Sequence, residues 1–346
     1  MTNKLITIKD VAREAKVGVS TASRALGGYG YVSEETRKKI QEVAKKIGYQ
    51  YNLVAKGLRT SKTLTIGYVM PNIANPFFTK IARGIQDIAF ELGYNVILCN
   101  NDNDTIKTER LFKMFFSNRV EGIIFSTPYN QSLEKMTEIA KNIGIPVVNC
   151  YGSTRVYSSD CIIGNSEIGC YKAMKHLIEL GHRAISILKV RNSGISRKRF
   201  QGCLKALDEY GIDKEPELIL DVDDFSIING YLAAKILMSQ ARKPTAILAL
   251  NEQLALGILQ TIREESISIP DDLSLVSVDD VLAPYLNPPL TSVSIPTYEL
   301  GKGAASLLIN RIENENKIKY RRIELDEELV VRATTGGIIN NIQKRR

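Results

Sequence analysis

Tryptophan is absent from the 346 residues and histidine occurs only as His176 and His182. Neither imidazole sits in a recognisable nucleophile–base arrangement, and no glycine-rich loop of the phosphate-cradling kind occurs. Asp279 and Asp280 alone are a weak carboxylate signal, so catalysis is not the reading. Cysteine is sparse too: Cys99, Cys150, Cys161, Cys170 and Cys203 are odd in number and form no C-x-x-C pair. That excludes a disulfide framework and a zinc site, leaves buried free thiols, and gives no reason to expect a cofactor or metal. Long apolar runs are missing as well. None approaches the roughly 20 residues that span a bilayer, and no secretory core opens the chain, which reads as cytoplasmic with no membrane partner.

Charge of one sign is lacking over most of the chain. From residue 63 onward there are 33 basic and 33 acidic residues, whereas residues 1–62 hold 13 Lys and Arg against 5 acids. The whole excess of +8 therefore lies in the first sixth, as in a small polyanion-binding module joined to a neutral partner. With 44% apolar residues, the chain can bury a sizeable core and divide into two or three domains.

The basic segment opens with "TIKDVAREAKVGVSTASRALGGYG" over residues 7–30. Thr7 can cap a helix with Asp10 answering at its third position, and Ile8, Val11, Ala12 and Ala15 recur on one side. A turn at Lys16–Val19 contains Gly18, and a second helix from about Val19 to Leu26 ends at Gly27-Gly28. Ala22, Ala25 and Leu26 form its apolar side, while Val19, Ser20, Ser23 and Arg24 line the other. A third helix starts at Ser33, buries Ile40, Val43, Ala44 and Ile47, and stops at Gly48. Three short helices with this charge fit a helix-turn-helix placing its second helix in a major groove, or a plain three-helix protein-binding bundle.

The next segment, "QYNLVAKGLRTSK" (residues 50–62), could hold a helix capped by Asn52 with Val54, Ala55 and Leu58 on one side. Isolated helices under about 12 residues are marginal, and Gly57 weakens this one by about 1 kcal/mol relative to Ala. From Leu64 onward, apolar runs alternate with helical patterns: "LTIGYVM", "NVILC", "VEGIIFS", "PVVNC", "AISILKV", "LILDV", "AILAL" and "DLSLVSV". Such alternation predicts parallel sheets covered by helices, with a plan of about 100 residues repeated once and a cleft at the strand ends. The loop "PNIANPFF" places two adjacent aromatics after the first of these strands.

The chain resembles the LacI/GalR (lac repressor) family of bacterial transcription regulators. The resemblance is carried by "TIKDVAREAKVGVSTASRALGGYGYVSEETRKKIQEVAKKIGY", "NLVAKGLRTSKTLTIGYVMPNIANPFF", "VEGIIFS", "HLIELGH", "LNEQLALG", "SVDDV" and "PPLTSVSIPTYELG", from about Thr7 to Gly336. It implies an all-α helix-turn-helix DNA-binding domain plus an α/β two-lobed, periplasmic-binding-protein-like (type I) sensor domain. The implied boundaries are 1–49 for the DNA-binding domain, 50–62 for the hinge helix or linker, and 63–340 for the sensor. Its first lobe would take about 63–162 and 296–323, its second about 163–295 and 324–340, leaving 341–346 as a disordered basic tail. A periplasmic binding protein itself would need a signal peptide and would have no use for the first 60 residues.

The resemblance also implies site residues. Val19, Ser20 and Arg24 fall where family members touch base edges, and Arg24 could make a bidentate bond to guanine. Thr7, Thr21 and Ser23 join the DNA-binding set, the last two as phosphate contacts. Gly18 departs from the usual Ser cap, which should hold the helix start less firmly. In the hinge, Asn52, Ala55, Lys56, Leu58 and Arg59 would meet DNA, with Leu58 as a minor-groove wedge and Lys56 and Arg59 on phosphates.

A small-molecule effector, read as a carbohydrate or a sugar derivative, phosphorylated and acidic ones included, ahead of a purine, would lie between the lobes. Asn75, Phe77, Phe78 and Tyr151 would line the cleft from one side, and Arg199, Phe225, Asn251 and Asp279 from the other. Aromatic faces would stack on sugar C–H surfaces, while polar groups bind neighbouring hydroxyls. Tyr151 stands where sugar-binding relatives often carry an acid, Ile295 replaces a frequent Gln, and "ILKVRN" lacks paired glycines. These departures predict a cleft that loses an anion and gains basic character from Lys189 and Arg191. A palindromic operator and a homodimer follow from the resemblance, the dimer using the helices near "FFTKIARGIQDIAFELG" and "TERLFKMFFSN".

Overall fold

The computed structural model describes residues 6–49, 62–126, 131–151, 159–314 and 319–338. The chain forms two units, residues 1–64 and 65–346.

In the first unit, Thr7 and Asp10 start helix α1 (Ile8–Ala15): the Asp10 carboxylate accepts from the Thr7 backbone N–H at 2.9 Å and from its hydroxyl at 2.7 Å. Lys16, at φ +56°, ends it in the left-handed region. Helix α2 (Val19–Gly27) begins at Gly18, which offers no side-chain oxygen to the orphan N–H groups, and ends at Gly28 with φ +69°. Helix α3 (Glu34–Lys46) is capped by the Ser33 hydroxyl, with Glu34 and Glu35 in its first turn and Lys45 and Lys46 in its last. Val11, Ala12, Ala15, Ala22, Ala25, Ile40 and Ala44 form the core, with Leu26, Val43 and Ile47 packed at its edge. Small residues on α1 and α2 let the helices approach closely around Ile40, whose burial contributes about 1.5–3 kcal/mol.

The second unit contains two six-stranded sheets. The first is built from β1 (Thr65–Met70), β2 (Asn95–Asn100), β3 (Gly122–Phe125), β4 (Val147–Cys150), β5 (Asp160–Gly164) and β11 (Arg322–Leu325), all parallel, in the order β11-β5-β4-β3-β1-β2. The second is built from β6 (Ile185–Val190), β7 (Ile219–Val222), β8 (Ala246–Ala249), β9 (Ser274–Val278), β10 (Thr291–Ser294) and β12 (Glu328–Val330). Their order is β12-β10-β9-β8-β6-β7, and only β12 runs antiparallel.

All eight apolar runs form strands. β5, β10, β11 and β12 carry weaker signals: "TSVS" has one large apolar residue, and "RIEL" and "ELV" are short, half-polar edge strands.

Helices join the strands: α4 (Pro76–Glu91), α5 (Thr105–Ser117), α6 (Gln131–Asn142), α7 (Ser166–Glu179), α8 (Gly194–Glu209), α9 (Ile227–Ser239), α10 (Glu252–Glu264) and α11 (Thr297–Glu313). Glycine sets the approach of three pairs. A Cβ on Gly84 of α4 would lie 2.2 Å from the Tyr298 carbonyl oxygen of α11. One on Gly202 of α8 would lie 2.0 Å from that of Glu167, and one on Gly257 of α10 would lie 2.0 Å from that of Ile227. Any side chain there would force the helices apart.

The chain passes between the sheets at 164–166, 294–297 and 325–328, so both strand sets end around the place where the lobes meet. The expected lobe ends, residues 162 and 323, fall inside β5 and β11. The first and third crossovers are tied by the Asn165 N–H donating to the Leu325 carbonyl at 3.0 Å.

Candidate DNA-reading face and effector cleft

On α2, burial of Ala22 and Ala25 against the core turns the opposite side outward. Val19 is 44% exposed, Ser20 and Arg24 are exposed, and Thr21 and Ser23 are half-buried. The Ser23 hydroxyl lies 2.7 Å from the Tyr29 phenol, so a phosphate would share it with that contact. The Arg24 stem passes beside Gly30, where a Cβ would come within 3.3 Å of its Cδ. The Thr7 hydroxyl is engaged by Asp10 in the α1 cap. Tyr31, 91% exposed at the end of the same loop, was not singled out by the sequence; an aromatic with nothing to bury it is the signal that could have found it. The hinge residues Asn52, Ala55, Lys56, Leu58 and Arg59 lie outside the described residues.

In the second unit, four of the expected residues meet in one buried network. Arg199, on the first turns of α8, directs one terminal nitrogen to the Tyr151 phenol oxygen at 2.6 Å and to Asp279 Oδ1 at 2.9 Å. Its other terminal nitrogen donates to the Leu250 carbonyl. Asn251 Nδ2 donates to Asp279 Oδ2 at 2.7 Å, while Asn251 Oδ1 caps α10 by accepting from the Gln253 N–H. The Arg199 and Asp279 side chains are 3% and 4% exposed, so the ion pair is dry. Tyr151 enters this array from the other lobe. It follows β4 with φ +56°, a left-handed conformation that costs a non-glycine residue roughly 1–2 kcal/mol.

Phe77 packs against the Tyr151 ring at 4.8 Å between centroids, and Phe78 meets Phe77 edge-on at 5.1 Å. The aromatic pair thus extends the network on the first-lobe side, with Phe77 buried and Phe78 half-buried. Asn75 serves the helix itself, because its Oδ1 caps α4 by accepting from the Phe77 N–H at 3.0 Å. Phe225 packs, partly buried, against the core of the second lobe.

The expectation of a cleft gaining basic character is corrected. Lys189 is paired with Asp221 and Arg191 with Asp223, because β6 and β7 run side by side in register and bring each base next to an acid. A further carboxyl group also joins the network, from a distant segment. Glu327, between β11 and β12, is fully buried and its Oε1 accepts from the Ser166 hydroxyl at 2.7 Å. Ser166 Oγ lies in turn 3.4 Å from the Tyr151 phenol. Glu327 sits in "LDEEL", which reads as a solvated acidic turn, and Ser166 reads as an ordinary helix start, so neither announced itself.

Burial governs the titration of these groups. It pushes the Tyr151 phenol well up, keeping it neutral and able to donate. It pushes the Asp279 carboxyl up against the opposing pull of Arg199 and Asn251. Glu327 is raised to about 7, mainly by burial, with Arg199 and Ser166 working in the other direction. Fixed donors, acceptors and aromatic faces around a dry ion pair suit binding of a neutral polar molecule. Among the described residues no group of His, Cys, Asp and Glu could hold a metal ion, and no helix is long and apolar enough to cross a membrane.

Comparison with known proteins bears on both units. Residues 7–52 match the family model for bacterial regulatory proteins of the lacI family, and residues 174–335 match the periplasmic binding protein-like domain. The chain is 32% identical over 331 residues to the HTH-type transcriptional repressor PurR of Photobacterium profundum, covering 95% of this chain and 98% of that protein. The structure of the lac repressor dimer bound to operator and the anti-inducer ONPF superposes with a TM-score of 0.86 at 27% identity, over 96% of this chain and 100% of that one. A LacI family transcriptional regulator from Enterococcus faecium with bound ribose gives a TM-score of 0.71 at 31% identity, over 79% of this chain and 99% of its own.

Proposed function

The chain belongs to the lacI family of bacterial regulatory proteins, and from that premise we propose the roles of its two sites. The protein is a DNA-binding transcriptional repressor, a homodimer on operator DNA, whose affinity for that DNA responds to a sugar-type effector. It acts in the cytoplasm. On α2, Arg24 reads a guanine, Ser20 and Val19 touch neighbouring base edges, and Thr21 and Ser23 fix the register on phosphates. Two-fold symmetry of the dimer makes the operator palindromic.

The effector is a carbohydrate or sugar derivative held between the lobes. The observation that carries this is the dry Arg199–Asp279–Asn251 array facing Tyr151 and Phe77, since vicinal hydroxyls both donate to carboxylates and accept from guanidinium. The close pairing of Lys189 with Asp221 leaves it less free for a phosphate and favours an uncharged sugar over a phosphorylated one. The dimer face includes the exposed apolar side chains Phe90 and Ile106 of the first lobe, near the helices the sequence suggested. It extends to an unforeseen stripe on α9 formed by Ile228, Leu232 and Ile236.

Effector binding changes the relative placement of the lobes and, through the 50–62 linker, the grip of the paired readers on DNA. A gel shift on DNA upstream of the coding sequence, with D-ribose, cellobiose and other sugars added in turn, tests this. The complex should weaken steeply with salt: 6–10 phosphate contacts cost about 10³–10⁵ in affinity between 50 and 200 mM. Sugar binding should be nearly salt-independent. Specific DNA binding that no sugar alters, combined with a response to purine bases alone, would overturn the effector assignment.

A further inference from the structure

The third crossover carries a group that the effector reading does not use. Glu327 is packed where the chain returns from β11 to β12, and glycines make room for its carboxylate. A Cβ on Gly164, the last residue of β5, would lie 2.2 Å from Glu327 Oε1, and one on Gly169 of α7 would lie 2.8 Å from Oε2. Oε1 accepts from Ser166, while Oε2 has no hydrogen-bond partner. On its own backbone, Lys172 Nζ donates to the Glu327 carbonyl at 3.0 Å.

With Glu327 ionised, the proton order along the chain of contacts follows from which atoms can only donate or only accept. A guanidinium has no acceptor, so the Tyr151 oxygen must accept from Arg199. The Ser166 proton goes to Glu327 Oε1, so Ser166 Oγ is left to accept from the Tyr151 hydroxyl. Donors thus run Arg199 to Tyr151 to Ser166 to Glu327, from the second lobe through the first to the crossover.

We propose that Glu327 is a positioning residue of the effector cleft: through Ser166 it orients the Tyr151 hydroxyl on Arg199, and its charge state sets how firmly that bridge ties the two lobes. This rests on the cleft being the effector site. With a proton on Oε2, Oε1 accepts as a neutral carbonyl and the relay is weak. Loss of that proton makes the Ser166 bond charge-assisted and draws the Arg199 cation. The titratable and charged groups that bear on Glu327 are Arg199 of α8, Asp279 after β9, Glu324 of β11, Cys170 and Lys172 of α7, the latter through the Glu327 carbonyl, and Tyr151 after β4. Arg199 favours ionisation, the two acids and burial oppose it, and the balance places the transition near neutrality.

The test uses the full-length protein without ligand. Near-ultraviolet circular dichroism in the tyrosine band is followed from pH 5.5 to 8.5 for the wild type, Glu327→Gln, Ser166→Ala and Tyr151→Phe. A sigmoidal change centred near pH 7 is expected in the wild type and lost in all three variants. No change in the wild type, or an unaltered one in any of the three variants, would overturn the proposal. Calorimetric titration with D-ribose adds a second readout. An affinity weakening at least three-fold from pH 6 to pH 8 in the wild type and constant in Glu327→Gln is expected. Failure of every sugar in the gel-shift panel to bind would count against the effector reading, while the spectroscopic result still decides the role of Glu327.

Discussion

Removing the carboxylate of Asp279 exposes how dry the cleft is in solution. In Asp279→Ala, the Arg199 guanidinium keeps the Tyr151 oxygen and the Leu250 carbonyl but loses its counter-charge, and its Nε already lacks a hydrogen-bond partner. Asn251 Nδ2 loses its acceptor in the same step. Breaking one half of a buried ion pair costs about 3–5 kcal/mol, because the remaining charge is neither solvated nor paired. Against a domain stability of about 5–15 kcal/mol, that is a large fraction. Urea unfolding followed by far-ultraviolet circular dichroism reads it directly. With a slope of about 3 kcal/mol/M, the midpoint should fall by about 1 M or more.

The double replacement Arg199→Met with Asp279→Leu separates stability from function: apolar groups of similar volume should restore most of the midpoint while abolishing sugar binding. A midpoint for Asp279→Ala within about 0.3 M of the wild type, equivalent to less than about 1 kcal/mol, would refute the reasoning. Exposed pairs give that value, so it would mean that water reaches Arg199 and that the lobes stand open in the free protein.

Other sites give independent tests. Arg24→Ala should cost about 1–3 kcal/mol in operator binding and relax sequence preference at one base position per half-site, measured by gel shift on a library of single-base variants; equal weakening on all of them would assign Arg24 to phosphate. Gly257→Ala puts a Cβ 2.0 Å from the Ile227 carbonyl oxygen, and overpacking should cost about 1–3 kcal/mol in thermal unfolding; an unchanged melting temperature would disprove the close α9–α10 approach. Glu252 accepts from the Leu282 and Ala283 N–H groups at 2.7 and 2.8 Å, yet burial raises its carboxyl to about 7 from an ordinary 4.5. The folded state therefore holds a proton that the unfolded state has released, so stability falls as pH rises from about 4.5 towards 7. The difference in stability between wild type and Glu252→Gln should track that window, and a constant difference from pH 4.5 to 8 would show that Glu252 titrates normally.

Much of this molecule is determined by its order of residues. The three helices of the reader follow from Thr7, Gly18, Ser33 and the spacing of small apolar residues, since caps and 3.6-residue periodicity act over a few neighbours. Eight of the strands, β1–β4 and β6–β9, follow from apolar runs bounded by polar segments; most of them are buried in the two sheets, while β2 and β7 lie at sheet edges. The clustering of basic residues in the first sixth needs no structure to be seen.

Tertiary structure alone decided the rest. Lys189 and Arg191 look like a basic patch until register pairs them with Asp221 and Asp223 across β6 and β7. Glu327 lies 161 residues from the serine it binds, in a segment whose local chemistry says solvent. Caps and periodicity are properties of adjacent residues, whereas burial and charge balance depend on which distant strands become neighbours, and only the closed chain specifies that.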